Sequence, residues 1–468
     1  MGVLSGYRYA MARNRSGSAA GDSGRSTGAG RRRFLRTIGA GAAATSLAGC
    51  VGSLGGGGGG GGGGDGPIRI GGFYLLSGIA EALGASSRAS AELAVKQVNE
   101  NGGINGRDVE IVFRDHGDNP SNTITSLVQE EQVDAMIGET SSGVTLNTAP
   151  TVEQLGVPFT LTDIGTPYIT EFDTETYGNY YQSENGKAAG KPNIFRLNAN
   201  TTINTYGQAK WALDNLDITR VANIGPDYAY GAQTWDYFKA FSDGLGANYE
   251  YVASVFPELG ASNMTPQINQ VLNADPDLVF TSFWGGDAVT FVQQATSQGL
   301  FDQVTDVFDT LGADPTTFEA LGGSMPEGYH YSGWYWHSAF DNQANTDMLE
   351  AFSNEYQGTN VIPIPSIAGG SAWSSIFMYK KAIEAAGGTE PEGIISELEG
   401  MSFEDDPRGP ITIDPDTHQA NAPAIIGETS TQDDVPYDGV GQINNQTYTL
   451  DRQRATDLLQ GSDLAPGV

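Results

Sequence analysis

The chain has 468 residues, of which 56 are acidic and 24 basic, for a formal net charge of −32. That imbalance repels phosphate backbones and anionic lipid headgroups, which excludes nucleic acid and acidic membrane surfaces as partners. A single cysteine, Cys50, rules out an intramolecular disulfide.

The charge is unevenly spread. Eight of the basic residues, all arginine, and one of the acidic residues, Asp22, fall in the first fifty, which leaves 16 basic and 55 acidic residues for the rest. Arg31-Arg32-Arg33-Phe34-Leu35-Arg36 has the twin-arginine pattern of an export signal, and the weakly apolar run from Thr37 to Leu47 is too short and too rich in Gly and Ala to span a bilayer. Leu47-Ala48-Gly49-Cys50 closes that run as a lipobox, whose cysteine would carry the lipid. Residues 1–50 are therefore expected to be a twin-arginine lipoprotein signal. Residues 51–66, with the ten glycines Gly55 to Gly64, are expected to be a flexible tether. The acidic, lysine-poor remainder suits a salt-loving, haloarchaeal source, because high salt screens its self-repulsion.

From Pro67 onward, strand and helix patterns alternate. Ile68 to Tyr74 predicts a first buried strand. Ala91, Ala94, Val95 and Val98 recur at helical spacing, and Asn101-Gly102-Gly103 stops that helix. Val109, Ile111 and Phe113 alternate as a strand, a helix follows Pro120, and strands Val133–Ile137 and Val157–Leu161 flank a helix from about Ser142. The pattern restarts near Asn193 with strands Val221–Ile224, Tyr251–Phe256 and Leu278–Ser282, between helices carrying Tyr206, Trp235, Phe238 and Ile268. Repeated βα units require parallel sheets covered on both faces, and about 400 residues exceed one core, so an α/β fold of two Rossmann-like lobes is predicted. Ligands of such lobes sit beyond the carboxyl ends of the strands, so the cleft between the two is the expected site.

Several stretches, in order, resemble the leucine/isoleucine/valine-binding proteins and their amide- and urea-binding relatives, the type I periplasmic-binding fold. They are Ile68 to Gly78, Ala91 to Arg107, Asp115 to Pro120, Ile137-Gly138 with Ser141-Ser142-Gly143, Gly156-Val157-Pro158, Asp227 to Gly231, and Gly409 to Asp414. The resemblance implies a three-stranded hinge with crossings near residues 198, 330 and 402. The lobes would then be 67–198 with 331–402, and 199–330 with 403–455, followed by a tail at 456–468. It also implies a solute-binding protein of an ABC importer, capturing an amino acid, amide, urea or short carboxylate for permease subunits with a cytoplasmic ATPase. The protein would sit on the outer face of the cell membrane, anchored by lipid on Cys50. A ligand-sensing module that signals to a membrane partner uses the same closure and stays open as an alternative.

Chemistry at the expected cleft divides between an anion cradle and an acid. Ser141 and Ser142 stand where a strand end meets a helix start, so their hydroxyls either cap the helix or, with its free N–H groups, hold a carboxylate. Asp163 is either a loop residue bonding its own backbone or the partner of a ligand ammonium. By resemblance, Gly165 stands where the branched-chain binders have a ligand-touching threonine, and Leu311 stands where they have a ligand-facing glutamate. Either Asp163 then replaces that charge from the opposite lobe, or Asp309 does after a small shift of register, or the ligand has no ammonium. The resemblance also brings Tyr230, Asp287 and Leu83 to the ligand, with Tyr230 otherwise a core aromatic. Trp284 is expected to pack within its lobe, and the aromatic- and histidine-dense run Tyr329–His337 to pack the hinge. No metal or cofactor is expected. Four histidines without a His-Glu-x-x-His pair, the absence of a Gly-x-Ser-x-Gly elbow from Pro67 onward, and a cysteine committed to the anchor argue against an enzyme.

Overall fold

The structure is a computed structural model that describes residues 66–177, 188–312, 314–431, 435 and 440–468. The export signal with Arg31 and Arg32, Cys50, and the tether up to residue 65 lie outside the described residues.

Two sheets organise the chain. The first contains β1 (Ile68–Tyr74), β2 (Val109–Asp115), β3 (Ala135–Gly138), β4 (Phe159–Leu161) and β5 (Ile194–Arg196), all parallel, in the order β2-β1-β3-β4-β5. The second contains β6 (Arg220–Ile224), β7 (Glu250–Val255), β8 (Leu278–Thr281), β9 (Asp306–Asp309) and β10 (His330–Gly333), again parallel, in the order β10-β9-β8-β6-β7. The two strand orders are equivalent, and each reverses between the first and third strands of its sheet. A short antiparallel pair, β11 (Ser402–Phe403) and β12 (Ile411–Thr412), lies outside both sheets. The edge of the second sheet departs from the all-parallel expectation. There β13 (Ala424–Thr431) pairs antiparallel with β10, and β14 (Val440–Tyr448) pairs antiparallel with β13. A hairpin needs no crossover helix, so it leaves no βα signal in the sequence.

The helices connecting the first sheet are α1 (Glu81–Glu100), α2 (Pro120–Gln129), α3 (Ser142–Leu155) and the one-turn α4 (Thr174–Tyr177). Those of the second are α5 (Thr201–Asn215), α6 (Ala229–Gly244), α7 (Thr265–Asn273), α8 (Gly285–Ser297) and α9 (Pro315–Leu321). The chain then forms α10 (Gln343–Tyr356) and α11 (Gly369–Ala386), both packed on α1, then α12 (Pro391–Leu398) on α11, and finally α13 (Arg452–Leu458) on α6. Helix α1 forms as its apolar spacing predicts: Ala91, Ala94, Val95 and Val98 are buried, and the chain turns at Gly102 and Gly103 in the left-handed region, φ 92° and 73°. Among the described residues, no helix is long and apolar enough to cross a membrane.

The crossings between sheets fall partly elsewhere than expected. The first runs through residues 197–200, between β5 and α5. All of β10 pairs within the second sheet, so the chain leaves that sheet after Gly333 rather than at 330. Residues 403–420 do not join the second sheet; the chain enters it only at Ala424. Arg408 and Asp406 explain why. Arg408 donates to Asp406 Oδ2 at 2.7 Å, to the Leu197 carbonyl at 2.9 Å and to Ser371 Oγ of α11 at 2.7 Å, and Ser374 of α11 donates to Asp406. Both side chains are completely buried, so this pair fastens the segment to α11 and the first crossing. Nor is 456–468 a free tail. Leu464, Ala465 and Val468 are buried, Tyr237 of α6 donates to the Ala465 carbonyl, and Asn200 donates to the Gly467 carbonyl at 2.7 Å.

Replacing Arg408 with alanine leaves the Asp406 carboxylate buried without its cation, which costs about 3–5 kcal/mol. Guanidinium unfolding at fixed salt should give that loss for Arg408→Ala, and a loss below 1 kcal/mol would contradict the buried-pair assignment.

Candidate functional site

The carboxyl ends of equivalent strands in the two sheets converge on one narrow cleft, whose empty space of about 270 Å³ includes its mouth to solvent. From the first sheet come Leu83 after β1, Thr140 and Ser142 after β3, and Asp163 and Gly165 after β4. The second sheet supplies Tyr228 and Tyr230 after β6, Trp284 after β8 and Leu311 after β9, while Ile367 closes one side. This is where a doubly wound sheet receives ligand, at the point where its strand order reverses. Gly138, the last residue of β3, lies against β1. Its φ is 153°, and a side chain there would meet the Phe73 carbonyl at 2.0 Å, so only glycine lets the two strand ends stay this close.

The α3 N-terminus is occupied in part by the protein's own groups. Glu139 is fully buried. Its Oε2 accepts from the N–H of Thr140 and, at 2.6 Å, from that of Ser141, while Oε1 lies 2.7 Å from His116 Nδ1. Ser141 caps the helix, accepting from Val144 N at 3.4 Å, and is not part of the cavity lining. The cap uses one hydroxyl, and the other, Ser142 Oγ, accepts from Thr166 N at 3.1 Å and keeps its own proton for donation. The N–H groups of Ser142 and Gly143 sit in the first turn, where no intrahelical acceptor exists, so they remain for an oxygen in the cleft. Burial pulls the His116 imidazole toward the neutral form, but the Glu139 hydrogen bond and charge outweigh it and raise its pKa.

Among the described residues, Asp163 is the one acid in the lining, and no Lys, Arg or His lines the cavity with it. It is 4% exposed, and Trp334 Nε1 donates to its Oδ1 at 2.8 Å. Burial pushes its carboxyl well above the ordinary aspartate range; the Trp334 hydrogen bond opposes this, and the charges of Asp314 and Glu139 add to it. A ligand cation would relieve all three pressures on it. On the opposite wall, Tyr230 donates to Thr310 Oγ1 at 2.7 Å, and Tyr228 accepts from Trp284 Nε1 at 2.8 Å.

Gly165 carries the contact between the two walls. A Cβ there would lie 2.4 Å from the Tyr230 ring and 2.9 Å from Thr201 Oγ1. The glycine that stands in place of the family's threonine thus makes room for Tyr230 to close against the loop.

The structure therefore gathers Leu83, Ser142, Asp163, Gly165 and Tyr230 at one cavity, sets Ser141 beside it as a cap, and separates Asp287. The Asp287 carboxylate lies in the first turn of α8 and accepts from Gly260 N at 2.8 Å, turned back into its own lobe. Asp309 is also turned away. It accepts from Leu311 N at 2.8 Å, Gly312 N at 2.6 Å and the Tyr329 hydroxyl at 3.1 Å, and burial raises its pKa to about 7. Trp284, expected to pack within its lobe, lines the cavity, as does Tyr228. Tyr228 lay within the Asp227–Gly231 motif, so the signal was present, although spacing alone did not say that both tyrosines face the cleft.

Substituting Gly165 with alanine introduces a clash of the overpacking kind, worth about 1–3 kcal/mol, but only when the walls are closed. Ligand affinity should fall roughly 5- to 100-fold by calorimetry with circular dichroism unchanged, whereas undiminished affinity would mean that Tyr230 does not close on this loop.

The chain matches the periplasmic binding protein family over residues 67–434. It is 23% identical over 333 residues to Leu/Ile/Val-binding protein homolog 3 of Brucella melitensis, covering 70% of this chain and 82% of that one. Homolog 4 of the same organism is 23% identical over 443 residues, 89% of this chain and 95% of the relative. Among solved structures, a solute-binding protein of an ABC transporter from R. palustris, in complex with 4-hydroxybenzoate, superposes with a TM-score of 0.68 at 22% identity, covering 82% and 98% of the two chains. A leucine-binding protein from Thermotoga maritima gives a TM-score of 0.66 at 20% identity, covering 80% of this chain and 98% of that one. With its α/β sheets meeting at a shared cleft, the chain belongs to the periplasmic binding protein family, as an extracytoplasmic solute-binding protein rather than an enzyme.

Proposed function

We propose that this protein captures a small amino acid or a close amide relative in the cleft and delivers it to the permease of an ABC importer powered by a cytoplasmic ATPase. Asp163 carries the reading: a buried carboxyl among other acids, with no cation in the lining among the described residues, is matched by a ligand that brings positive charge. The ligand's carboxylate is assigned to the Ser142 hydroxyl and the free N–H groups of α3, its ammonium to Asp163, and its side chain to Leu83, Leu311, Ile367 and the rings of Tyr228, Tyr230 and Trp284. Closure of the walls on the ligand selects the form that the permease recognises. The curated relatives are named for leucine, isoleucine and valine, which agrees with the apolar part of the lining.

A second reading, an aromatic carboxylic acid, is favoured by the three aromatic side chains in the lining and by the neighbour that holds 4-hydroxybenzoate. In that case Asp163 stays protonated and donates to the ligand. Opposite pH dependences separate the two. An ammonium must displace the Asp163 proton, so its binding strengthens as pH rises through the raised Asp163 pKa and levels off above it. A ligand that accepts a hydrogen bond from protonated Asp163 weakens over the same range. Calorimetry with L-leucine and with 4-hydroxybenzoate across that range checks the sign. Asp163→Asn should reduce leucine affinity roughly 30-fold or more and remove its pH dependence. Equal losses for both ligands would sink the ammonium assignment.

The lipid anchor belongs to the same proposal, with Arg31 and Arg32 directing export and the Gly55–Gly64 tether leaving the domain free to reach a permease. Cys50→Ser should move the protein from the membrane fraction to the medium in cell fractionation, and full membrane retention of the variant would contradict lipid anchoring.

A further inference from the structure

The aromatic run from Tyr329 to His337 supplies no residue to the cavity lining, yet one of its side chains reaches the site from behind. Trp334 follows β10 directly, on the stretch where the chain leaves the second sheet for α10. It is 0% exposed, and its indole N–H, the only polar group it has, is spent on Asp163 Oδ1. That leaves Asp163 Oδ2 as the oxygen for a ligand.

We propose that Trp334 is a positioning residue that holds the Asp163 carboxylate for the ligand's cationic group and couples occupancy of the cleft to the second crossing between the sheets. The inference rests on Asp163 meeting the ligand. A hydrogen bond to an ionised carboxylate is roughly twice as strong as one to a neutral acceptor. A cation on Oδ2 keeps Asp163 ionised and so tightens the Trp334 bond. Because Trp334 opens the return segment to α10, the crossing geometry seen here is favoured when the site is filled. The ionisable groups facing Asp163 are Glu139 after β3, Asp314 at the start of α9, and the hydroxyls of Tyr74, Tyr228 and Tyr230. The His116 imidazole is tied to Glu139. None of these supplies the positive charge that a ligand would.

The test uses the whole protein labelled with ¹⁵N-tryptophan, read by the indole N–H resonance that Trp334→Phe removes. That resonance should move as pH is raised through the Asp163 titration and should move again on saturation with L-leucine. Trp334→Phe should lower the melting temperature, because it removes buried volume and a buried hydrogen bond, and should also weaken leucine binding about tenfold and displace its pH profile upward by about one unit, because the donor that favours the ionised carboxyl is gone. A resonance that ignores both pH and bound leucine overturns the coupling. If leucine does not bind, the pH titration of the empty protein decides the Asp163 contact by itself, separately from the functional reading. If Trp334→Phe does not fold, Asp163→Asn should abolish the pH step of one indole resonance, and a set of indole titrations identical to wild type overturns the proposal.

Discussion

One buried guanidinium holds together the parts that make the site. Arg196, the last residue of β5, is 0% exposed, and each of its five N–H groups has an acceptor: Gln419 Oε1, the carbonyls of Ile164, Thr166 and Gly467, and Thr170 Oγ1. These acceptors belong to the loop that carries Asp163 and Gly165, to the segment approaching the third crossing, and to the C-terminal segment. All are uncharged oxygens, and burial lowers the arginine pKa to about 9. A buried cation without a carboxylate is costly unless every donor is satisfied, so each of these segments is constrained to meet it. The backbone repeats the restraint: Arg196 N donates to the His418 carbonyl at 2.9 Å, and Ala420 N to the Arg196 carbonyl at 2.8 Å.

On that frame the two sheets present equivalent ends to one another. The ends of β1, β3 and β4 face those of β6, β8 and β9, but the chemistry differs between them. The first wall is polar, with hydroxyls, a helix N-terminus and Asp163. The second is aromatic, with its hydroxyl and indole groups already paired among themselves and with Thr310. A ligand with a charged end and an apolar end fits this division. The acids flanking the site, Glu139 after β3 and Asp314 at the start of α9, are bonded to backbone N–H groups and shape the field without lining the cavity.

Close approach of the walls depends on two glycines. Gly165 accommodates the Tyr230 ring, and a Cβ at Gly285 would lie 2.2 Å from the Ile79 carbonyl across the cleft. Local sequence can mark such residues as turn formers, but only the second wall gives them their reason. Tyr230 and Ile79 are distant in the chain from the glycines they meet.

The sequence by itself determined the βα order, the doubling into two sheets and the stop of α1, features that follow from periodicity and turn chemistry acting over a few residues. Ser142 and Asp163 stood out by their place after strands, whereas Gly165, Tyr230 and Leu83 were singled out only by the resemblance of the surrounding motifs to a family. Tertiary structure decided which side chain of each loop turns toward the cleft. It turned Asp287 and Asp309 inward to backbone N–H groups, because a buried carboxylate takes the nearest donors, and it left Trp284 and Tyr228 facing out. It also moved the second crossing past Gly333, since β10 gains a partner on each side, and kept 403–420 away from the second sheet through Arg408 and Asp406. Both outcomes depend on contacts between residues far apart in the chain, which spacing along one strand or helix does not encode.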